Sequence, residues 1–226
     1  MCGRFAQYSS RDDYLQALEI SGETVPYDPQ PLERYNVAPG TRVLILSERD
    51  GNCALDPVIW GYIPEWWTKA PMINARSETA ATGKMFSKLW RTGRAIVPAD
   101  GWFEWKKSGS RKQPFFIYRS DGRPLFMAAI GHAPFDTDHG QEGFVIVTAS
   151  SNQGLIDIHD RRPLVFDTES ALRWINEKTS PEEAADLAEK HALPESDFSW
   201  HPVSAKVGSP HNQGNEIINK IDEPLA

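Results

Sequence analysis

The chain has 226 residues, of which 40% are hydrophobic and 24% are charged, with a formal net charge of −7. This composition fits a soluble globular protein with a core. Two cysteines do not make a disulfide scaffold, and no apolar run reaches the roughly 20 residues of a membrane span. The polar start of the chain lacks the apolar segment of a signal peptide, so we expect a cytoplasmic protein.

Helix and strand signals follow one another along the chain in one predicted domain, residues 1–226. The segment SSRDDYLQALEI predicts a helix with a Ser cap, and RVLILSE (42–48) predicts a buried strand. SETAATGKMFSKLWRTG (77–93) predicts a helix that is interrupted at Gly83 and stopped at Gly93. Strand candidates between 95 and 150 are separated by Gly, Pro and Asp turns. They are AIVPA, WFEWKK, PFFIYR, PLFMAAIG and GFVIVTAS.

Two helices are predicted near the end of the chain. TESALRWINE has a Thr cap, and SPEEAADLAEK has Ser180 as its cap with Glu183 in the capping-box position. Many adjacent strands with few helices between them predict an α+β domain with a mostly antiparallel sheet. No parallel βαβ repeat is visible.

The charge is distributed unevenly. Residues 67–123 carry 12 Lys and Arg against 4 Asp and Glu, whereas residues 131–226 carry 7 against 17. Because screening acts over about 10 Å at 0.1 M salt, a polyanion at a basic surface does not sense a distant acidic one. A nucleic-acid surface is therefore compatible with the negative net charge, and an ordinary solvated surface is the alternative.

Ionisable and amide side chains interrupt two of the extended segments. In PMINARSETA, Asn74 and Arg76 share one face if the segment is extended, since a strand has a period of two. In ADGWFEWKK, Glu104 lies between Phe103 and Trp105. Aromatic neighbours would desolvate this carboxyl, raise its pKa and suit it to proton transfer near neutrality. The alternative is a surface strand with Glu104 pointing to water.

A further segment, IDIHDRRPLV, combines a histidine with two arginines. His159 can carry a proton, and the arginines Arg161 and Arg162 suit phosphate contacts; a structural histidine is the alternative. In PEWWTK, Trp66 and Trp67 either pack in the core or stack on bases, and at most one of them stacks because neighbours in a strand face opposite ways. No CxxC, HExxH, P-loop or GxSxG pattern occurs, so we expect no metal or cofactor.

The chain opens with MCGRF, which puts a cysteine in the second position. Cysteine is small, so Met1 ahead of it is a good substrate for removal. Cys2 then carries an α-amine and a thiol on adjacent carbons, a reagent that no internal cysteine offers. Cys53, beside a turn in DGNCALD, is expected to be incidental.

Seven segments, taken in order, closely resemble the SOS-response-associated peptidase (SRAP) family over nearly the full length. They are MCGRFAQ, RYNVAPGT, VIWGYIPEWW, PMINARSETA, ADGWFEWKK, PFFIY and DIHDRRPLV. The resemblance implies an α+β fold with a barrel-like antiparallel core and peripheral helices. It implies covalent capture of abasic sites in single-stranded DNA. We expect the protein to be a monomer and to be associated with the nucleoid when it is bound to DNA. The peptidase in the family name refers to removal of the residue before the cysteine.

Carried over by motif, the resemblance assigns site residues. The implied catalytic residues are Cys2, Asn74, Glu104 and His159, and the implied DNA contacts are Arg4, Arg76, Arg161 and one of Trp66 and Trp67. The chemistry agrees, because an amine and an adjacent thiol condense with the aldehyde of an opened abasic sugar to form a five-membered thiazolidine. Two alternatives stay open. One is a cysteine peptidase acting in trans, with Cys2 and His159 as nucleophile and base, and the other is a non-covalent reader of modified bases in DNA.

Overall fold

The computed structural model describes residues 2–20, 32–132 and 143–222. The described strands are β1 (Arg4–Gln7), β2 (Arg34–Val37), β3 (Arg42–Arg49), β4 (Asn52–Ile59), β5 (Asn74–Arg76), β6 (Arg94–Ala99), β7 (Gly101–Ser108), β8 (Arg111–Arg119), β9 (Leu125–His132), β10 (Gly143–Ser150), β11 (Arg161–Pro163), β12 (Val165–Phe166) and β13 (Phe198–Pro202). The helices within these ranges are α1 (Arg11–Ala17), α2 (Ser77–Ala80), α3 (Ser87–Thr92), α4 (Gln153–Ile156), α5 (Thr168–Ile175) and α6 (Pro181–Lys190), and the described 3-10 helices span Glu195–Asp197, Ala205–Gly208 and Asn215–Ile218.

Two sheets organise the described strands. The first has five strands in the order β13-β8-β7-β1-β2. The second has eight strands, six of them in the order β11-β10-β9-β6-β3-β4, while β12 pairs with β9 and β5 pairs with β10. The β5–β10 pair is parallel, and the other described strand pairs are antiparallel.

The five-stranded sheet has two differently covered faces because its side chains alternate along each strand. Trp102 and Ile117 are cross-strand partners on one face, which packs into the apolar core shared with the eight-stranded sheet. Phe103 and Phe116 are partners on the other face, which belongs to a separate cluster covered by the C-terminal 3-10 helices. Gly101 allows this packing, since a Cβ there would lie 2.3 Å from the Phe116 ring.

The helix signals in the sequence hold with two changes of detail. Ser10 caps α1 and Ser180 caps α6, each with a capping box. The predicted helix over 77–93 is two short helices, α2 and α3, which are separated around Gly83, and α3 ends at Gly93. The predicted Thr cap of α5 is wrong, because the side chain of Asp167 accepts the Ser170 N–H and thereby caps the helix.

The α+β prediction with a mostly antiparallel core and peripheral helices is confirmed. The barrel-like detail is not reproduced in the described residues, whose strands form two open sheets that pack together. Within the described ranges, no helix is both long and apolar enough to cross a membrane.

Candidate active site

Cys2 lies two residues before the start of β1 and is completely buried. It belongs to the core cluster that includes Phe5 and Trp60, whose rings are 5.0 Å apart. Its Sγ lies 4.0 Å from the carbonyl oxygen of Arg4. Burial raises the pKa of the Cys2 thiol well above its usual range, and the nearby charge of Glu104 adds to this effect. The thiol is therefore protonated at neutral pH.

Asn74 is held beside Cys2 by the short parallel strand β5. Its Nδ2 donates a hydrogen bond of 2.9 Å to the carbonyl oxygen of Cys2. Its Oδ1 is buried and accepts no hydrogen bond from the described residues. The predicted alternation along this strand is confirmed, since Ala75 is buried in the core while Arg76 is exposed. An acceptor oxygen is therefore available next to the start of the chain.

Glu104 lies on the inner face of β7, and only 3% of it is exposed. Burial raises its pKa from 4.5 to about 7, and the charge of Asp160 contributes in the same direction. The alternative of a carboxyl pointing to water is therefore wrong. The sequence neighbours Phe103 and Trp105 do not bury Glu104, because their side chains lie on the other face of the sheet. Glu104 is buried instead by residues on the same face of the sheet, among them Trp102 and the cross-strand partner Phe115.

His159 shares a narrow crevice with Glu104. We call this the Glu104 crevice; its lining residues are Trp102, Glu104, Ile117, Ser151, Leu155, Ile158, His159, Arg161 and Arg162. Nδ1 of His159 lies 3.0 Å from the backbone nitrogen of Arg161 and 3.2 Å from its carbonyl oxygen, so it accepts from the first in one neutral tautomer and donates to the second in the other. A carboxylate oxygen of Asp160 is also 3.0 Å from Nδ1 and can accept from the protonated ring. Burial lowers the pKa of His159, which keeps the ring largely neutral at pH 7.

Arg161 lines the same crevice, but its guanidinium already has an anionic partner. Its Nη1 and Nη2 donate to the two carboxylate oxygens of Glu78 at 2.6 and 2.9 Å. It also donates to the carbonyl oxygen of Thr148. The hydrogen bond from Arg161 lowers the pKa of Glu78. Glu78 carries no motif signal, and only the fold places it opposite this arginine.

Arg162, the next residue, points into the protein. Its Nε donates to Oε1 of Glu195 at 3.0 Å, and both side chains are less than 10% exposed. The same Oε1 accepts the Asn152 N–H at 3.0 Å. This ion pair therefore fixes the base of the hairpin that carries His159. Period-two alternation could have indicated that only one of the two adjacent arginines faces outward.

Arg4 lies on the opposite face of the sheet from Glu104, since its cross-strand partner is Phe103. Its guanidinium donates to Oδ1 of Asn36 and to the carbonyl oxygen of Val207, both at 2.8 Å. A third bond of 3.1 Å reaches the carbonyl oxygen of Gly208. A DNA contact by Arg4 stays a prediction, and these bonds give the residue a structural role in tying β1 to the C-terminal segment.

The tryptophan pair lies in the connection between β4 and β5. The two rings meet edge to face with centroids 5.9 Å apart. Trp66 is 54% exposed, and Nζ of Lys84 lies 5.4 Å from its ring centroid. Trp67 is less exposed, and its Nε1 donates to the carbonyl oxygen of Ala70 at 3.0 Å. Of the two, Trp66 presents the more accessible ring.

The fold thus brings four of the predicted residues to one place. Cys2 contacts Asn74 through its carbonyl oxygen and is electrostatically coupled to Glu104, which shares its crevice with His159. They come from the chain start and from three separate segments. A buried thiol, an amide and two groups that can exchange protons near neutrality define a site equipped for nucleophilic chemistry at the beginning of the chain.

Comparison with known proteins agrees with this description. The chain matches the model of the SOS response associated peptidase (SRAP) family over residues 1–210, and it belongs to that family. It is 60% identical over 222 residues to the abasic site processing protein YedK of Escherichia coli K12, a match that covers 98% of this chain and 100% of that protein.

More distant relatives match over similar lengths. The chain is 32% identical to the abasic site processing protein YoaM of Bacillus subtilis, with 97% of this chain and 98% of that protein covered. Among solved structures, a phage-related protein of Bordetella bronchiseptica superposes with a TM-score of 0.76 at 38% identity, covering 89% of this chain and 94% of that one. The similarity therefore extends over both sheets.

Proposed function

We propose that this protein acts on abasic sites in single-stranded DNA and captures them covalently through Cys2 after Met1 has been removed. The observation that carries the proposal is the convergence of Cys2, Asn74, Glu104 and His159 at one site, in which Cys2 and Glu104 are buried. Family membership supports it, because the similar proteins YedK and YoaM are named abasic site processing proteins. Hydrolysis of the Met1–Cys2 peptide bond would supply the required α-amine.

The capture reaction joins both groups of Cys2 to one carbon. An abasic deoxyribose in its opened form has an aldehyde at C1′. The α-amine adds to C1′, and the carbinolamine loses water to give a Schiff base. The thiol sulfur then adds to the same carbon while its proton passes to the nitrogen. C1′ finishes with one bond to nitrogen and one to sulfur, its oxygen leaves as water, and the product is a five-membered thiazolidine.

The protonation states favour the amine as the first nucleophile. A thiolate is the reactive form of cysteine, and burial keeps the Cys2 thiol protonated. An α-amine has a pKa of about 7.7–8.0, so a useful fraction is neutral near pH 7.5. The protonated state of the Cys2 thiol also weighs against a cysteine peptidase acting in trans, because such an enzyme attacks its substrate with the thiolate.

Glu104 and Asn74 have distinct roles in this proposal. Glu104, with a pKa near 7, gives a proton during sugar opening and loss of water and takes one back afterwards. The Oδ1 of Asn74, which accepts no hydrogen bond from the residues that the structure describes, would accept one from the new amine, while its Nδ2 keeps the backbone of Cys2 in place. His159, whose ring is largely neutral at pH 7, would move a second proton or orient the adjoining phosphate.

The strand itself would be held without sequence readout. Arg76 is exposed beside Asn74 and is suited to a phosphate contact. Trp66 offers an exposed ring for base stacking. Arg161 would contact phosphate only by sharing or replacing Glu78. Such contacts make binding salt-dependent, with each lost contact lowering the log–log slope by about 0.7 for a single strand.

The test uses end-labelled abasic single-stranded DNA on a denaturing gel, with intact mass showing that Met1 has been lost. Wild type should give a stable DNA-linked band. Cys2→Ala should abolish it, whereas the matched thiol variant Cys53→Ala should keep it. A non-covalent reader would give no band with any variant. Full yield from protein that retains an N-terminal extension would contradict the thiazolidine mechanism.

A second gel tests the order of the steps. Cys2→Ala retains an α-amine, which should form a transient Schiff base that borohydride traps and that promotes β-elimination of the 3′ phosphate. Adding Glu104→Gln should slow trapping and cleavage about 10²- to 10⁴-fold, since both need the opened sugar. Absence of a trapped adduct in Cys2→Ala protein that lacks Met1 would mean that the thiol, not the amine, attacks first.

A further inference from the structure

A second pocket lies on the outer face of the five-stranded sheet, and the capture reaction does not use it. Its volume is about 310 Å³, at the lower end of the range for small-ligand pockets. We call it the outer pocket; its lining residues are Tyr8, Asp100, Phe116, Tyr118, Arg119, Gly122, Arg123, His201, Ile218, Asn219 and Lys220.

The outer pocket is separate from the Glu104 crevice. Phe116 pairs across strands with Phe103 and His201, so its side chain lies on the face opposite Glu104. Tyr8 follows the far end of β1, and six residues of extended chain place it roughly 20 Å along the strand direction from Cys2. Among the residues that the structure describes, none lines both of these sites.

Aromatic rings form one wall of the outer pocket. Phe116 and Tyr118 stack with centroids 5.8 Å apart and planes at 21°. The ring of His201 lies 5.5 Å from that of Tyr118. Tyr118, His201 and Tyr8 are all partly exposed. A planar heteroaromatic ring can stack on such a wall, as nucleobases do on protein aromatics.

Cationic side chains stand at the rim of the outer pocket. Arg123 and Lys220 are exposed, and Nη2 of Arg123 donates to the carbonyl oxygen of Ala17 and to Oγ1 of Thr168, both at 3.3 Å. Arg119 is paired with the carboxylate of Asp121. The carboxylate of Asp100 also lines the pocket, and its hydrogen bonds are made to neutral donors of the protein. Its oxygens accept hydrogen bonds from the backbone N–H groups of Tyr8 and Ser9 and from the Ser9 and Tyr14 hydroxyls. Two exposed cations against one partly buried carboxylate leave the rim with a net positive charge, which favours an anionic group.

We propose that the outer pocket binds a nucleotide, with the base stacked on Tyr118 and the phosphate between Arg123 and Lys220. The shared chemistry of base and phosphate could come from a free mononucleotide or from a nucleotide within a DNA strand. This inference goes beyond covalent capture and does not depend on it, because it uses neither Cys2 nor Glu104.

The direct test is isothermal titration calorimetry of the full chain with deoxyadenosine 5′-monophosphate. Saturable binding is expected, and Tyr118→Ala and Lys220→Ala should each weaken it about tenfold. Tyr118→Phe should bind like wild type, because the stacking ring remains. The matched control is Lys206→Ala, which removes an exposed lysine outside the pocket. Deoxyadenosine and inorganic phosphate should each bind more weakly than the nucleotide.

A second experiment distinguishes a free mononucleotide from a nucleotide within a DNA strand. Calorimetry with intact 5- and 15-nucleotide strands, repeated in Cys2→Ala protein, measures binding when no crosslink can form. Binding of the mononucleotide alone would support a free ligand, and a loss of 15-mer affinity in the Tyr118→Ala/Lys220→Ala double variant would support a strand contact. If neither ligand depends on these two side chains, the proposal is wrong. Success or failure of the crosslinking gel leaves this result unaffected.

Discussion

Replacing Glu104 with Gln should stabilise the protein at alkaline pH and have little effect at acidic pH. Burial raises the pKa of this carboxyl from 4.5 to about 7. Between these two values the folded state holds a proton that the unfolded chain has released. The wild-type protein therefore loses stability as the pH rises through this window. Glutamine resembles the protonated acid in shape and does not titrate.

The size of the effect follows from the shift itself. A rise of one unit in a pKa corresponds to about 1.4 kcal/mol. The rise of the Glu104 pKa from 4.5 to about 7 therefore lowers the free energy of unfolding by about 3 kcal/mol at alkaline pH. Only 3% of Glu104 is exposed, so solvent screens little of this energy. With a urea m-value of about 3 kcal/mol/M for a domain of this size, the midpoint of Glu104→Gln should exceed that of wild type by about 1 M above pH 8.

Urea unfolding monitored by tryptophan fluorescence at pH 4.5, 6, 7 and 8.5 measures this difference. Glu189→Gln is the matched control, since it removes an exposed carboxyl on α6. The urea midpoint of Glu104→Gln should equal that of wild type at pH 4.5, and most of the difference in midpoint should be present at pH 8.5. An advantage that is constant across the four pH values, or one that Glu189→Gln reproduces, would refute the argument that burial of this carboxyl opposes its ionisation.

Three other substitutions test the surroundings of the site. Glu195→Ala leaves the buried guanidinium of Arg162 without its counterion and should cost about 3–5 kcal/mol in urea unfolding. Glu78→Gln releases Arg161 toward phosphate, so fluorescence anisotropy should show tighter single-strand binding at low salt and a log–log slope steeper by about 0.7. Trp66→Ala should weaken the same binding about tenfold through lost stacking, and unchanged affinity would exclude Trp66 as the stacking ring.

Much of the site could be predicted because its signals are local. The second-position cysteine, the Asn-Ala-Arg segment and the glutamate among aromatics are readable in the sequence, and the structure brings Cys2, Asn74 and Glu104 together. The raised pKa of Glu104 is confirmed, but the cause predicted from its sequence neighbours is wrong. Phe103 and Trp105 flank it in sequence but face away from it, and cross-strand and same-face neighbours bury it instead.

The partners of the arginines could not be predicted, because each pairing joins distant parts of the chain. Arg4 is bound by Asn36 and the carbonyl oxygens of residues 207 and 208, and Arg161 is bound by Glu78 across 83 positions. A sequence motif records which side chain is present, not which charge the fold sets against it.

The sequence by itself determined the α+β class, most helix ends and the chemistry available to the chain. Strand periodicity and capping residues act over a few neighbours, so they are visible without a structure. Only the tertiary structure decided that the strands form two open sheets, that Cys2 and Glu104 are buried together, and that Arg162 faces inward. These features depend on strand register and sheet packing, which arise from contacts between residues far apart in the chain.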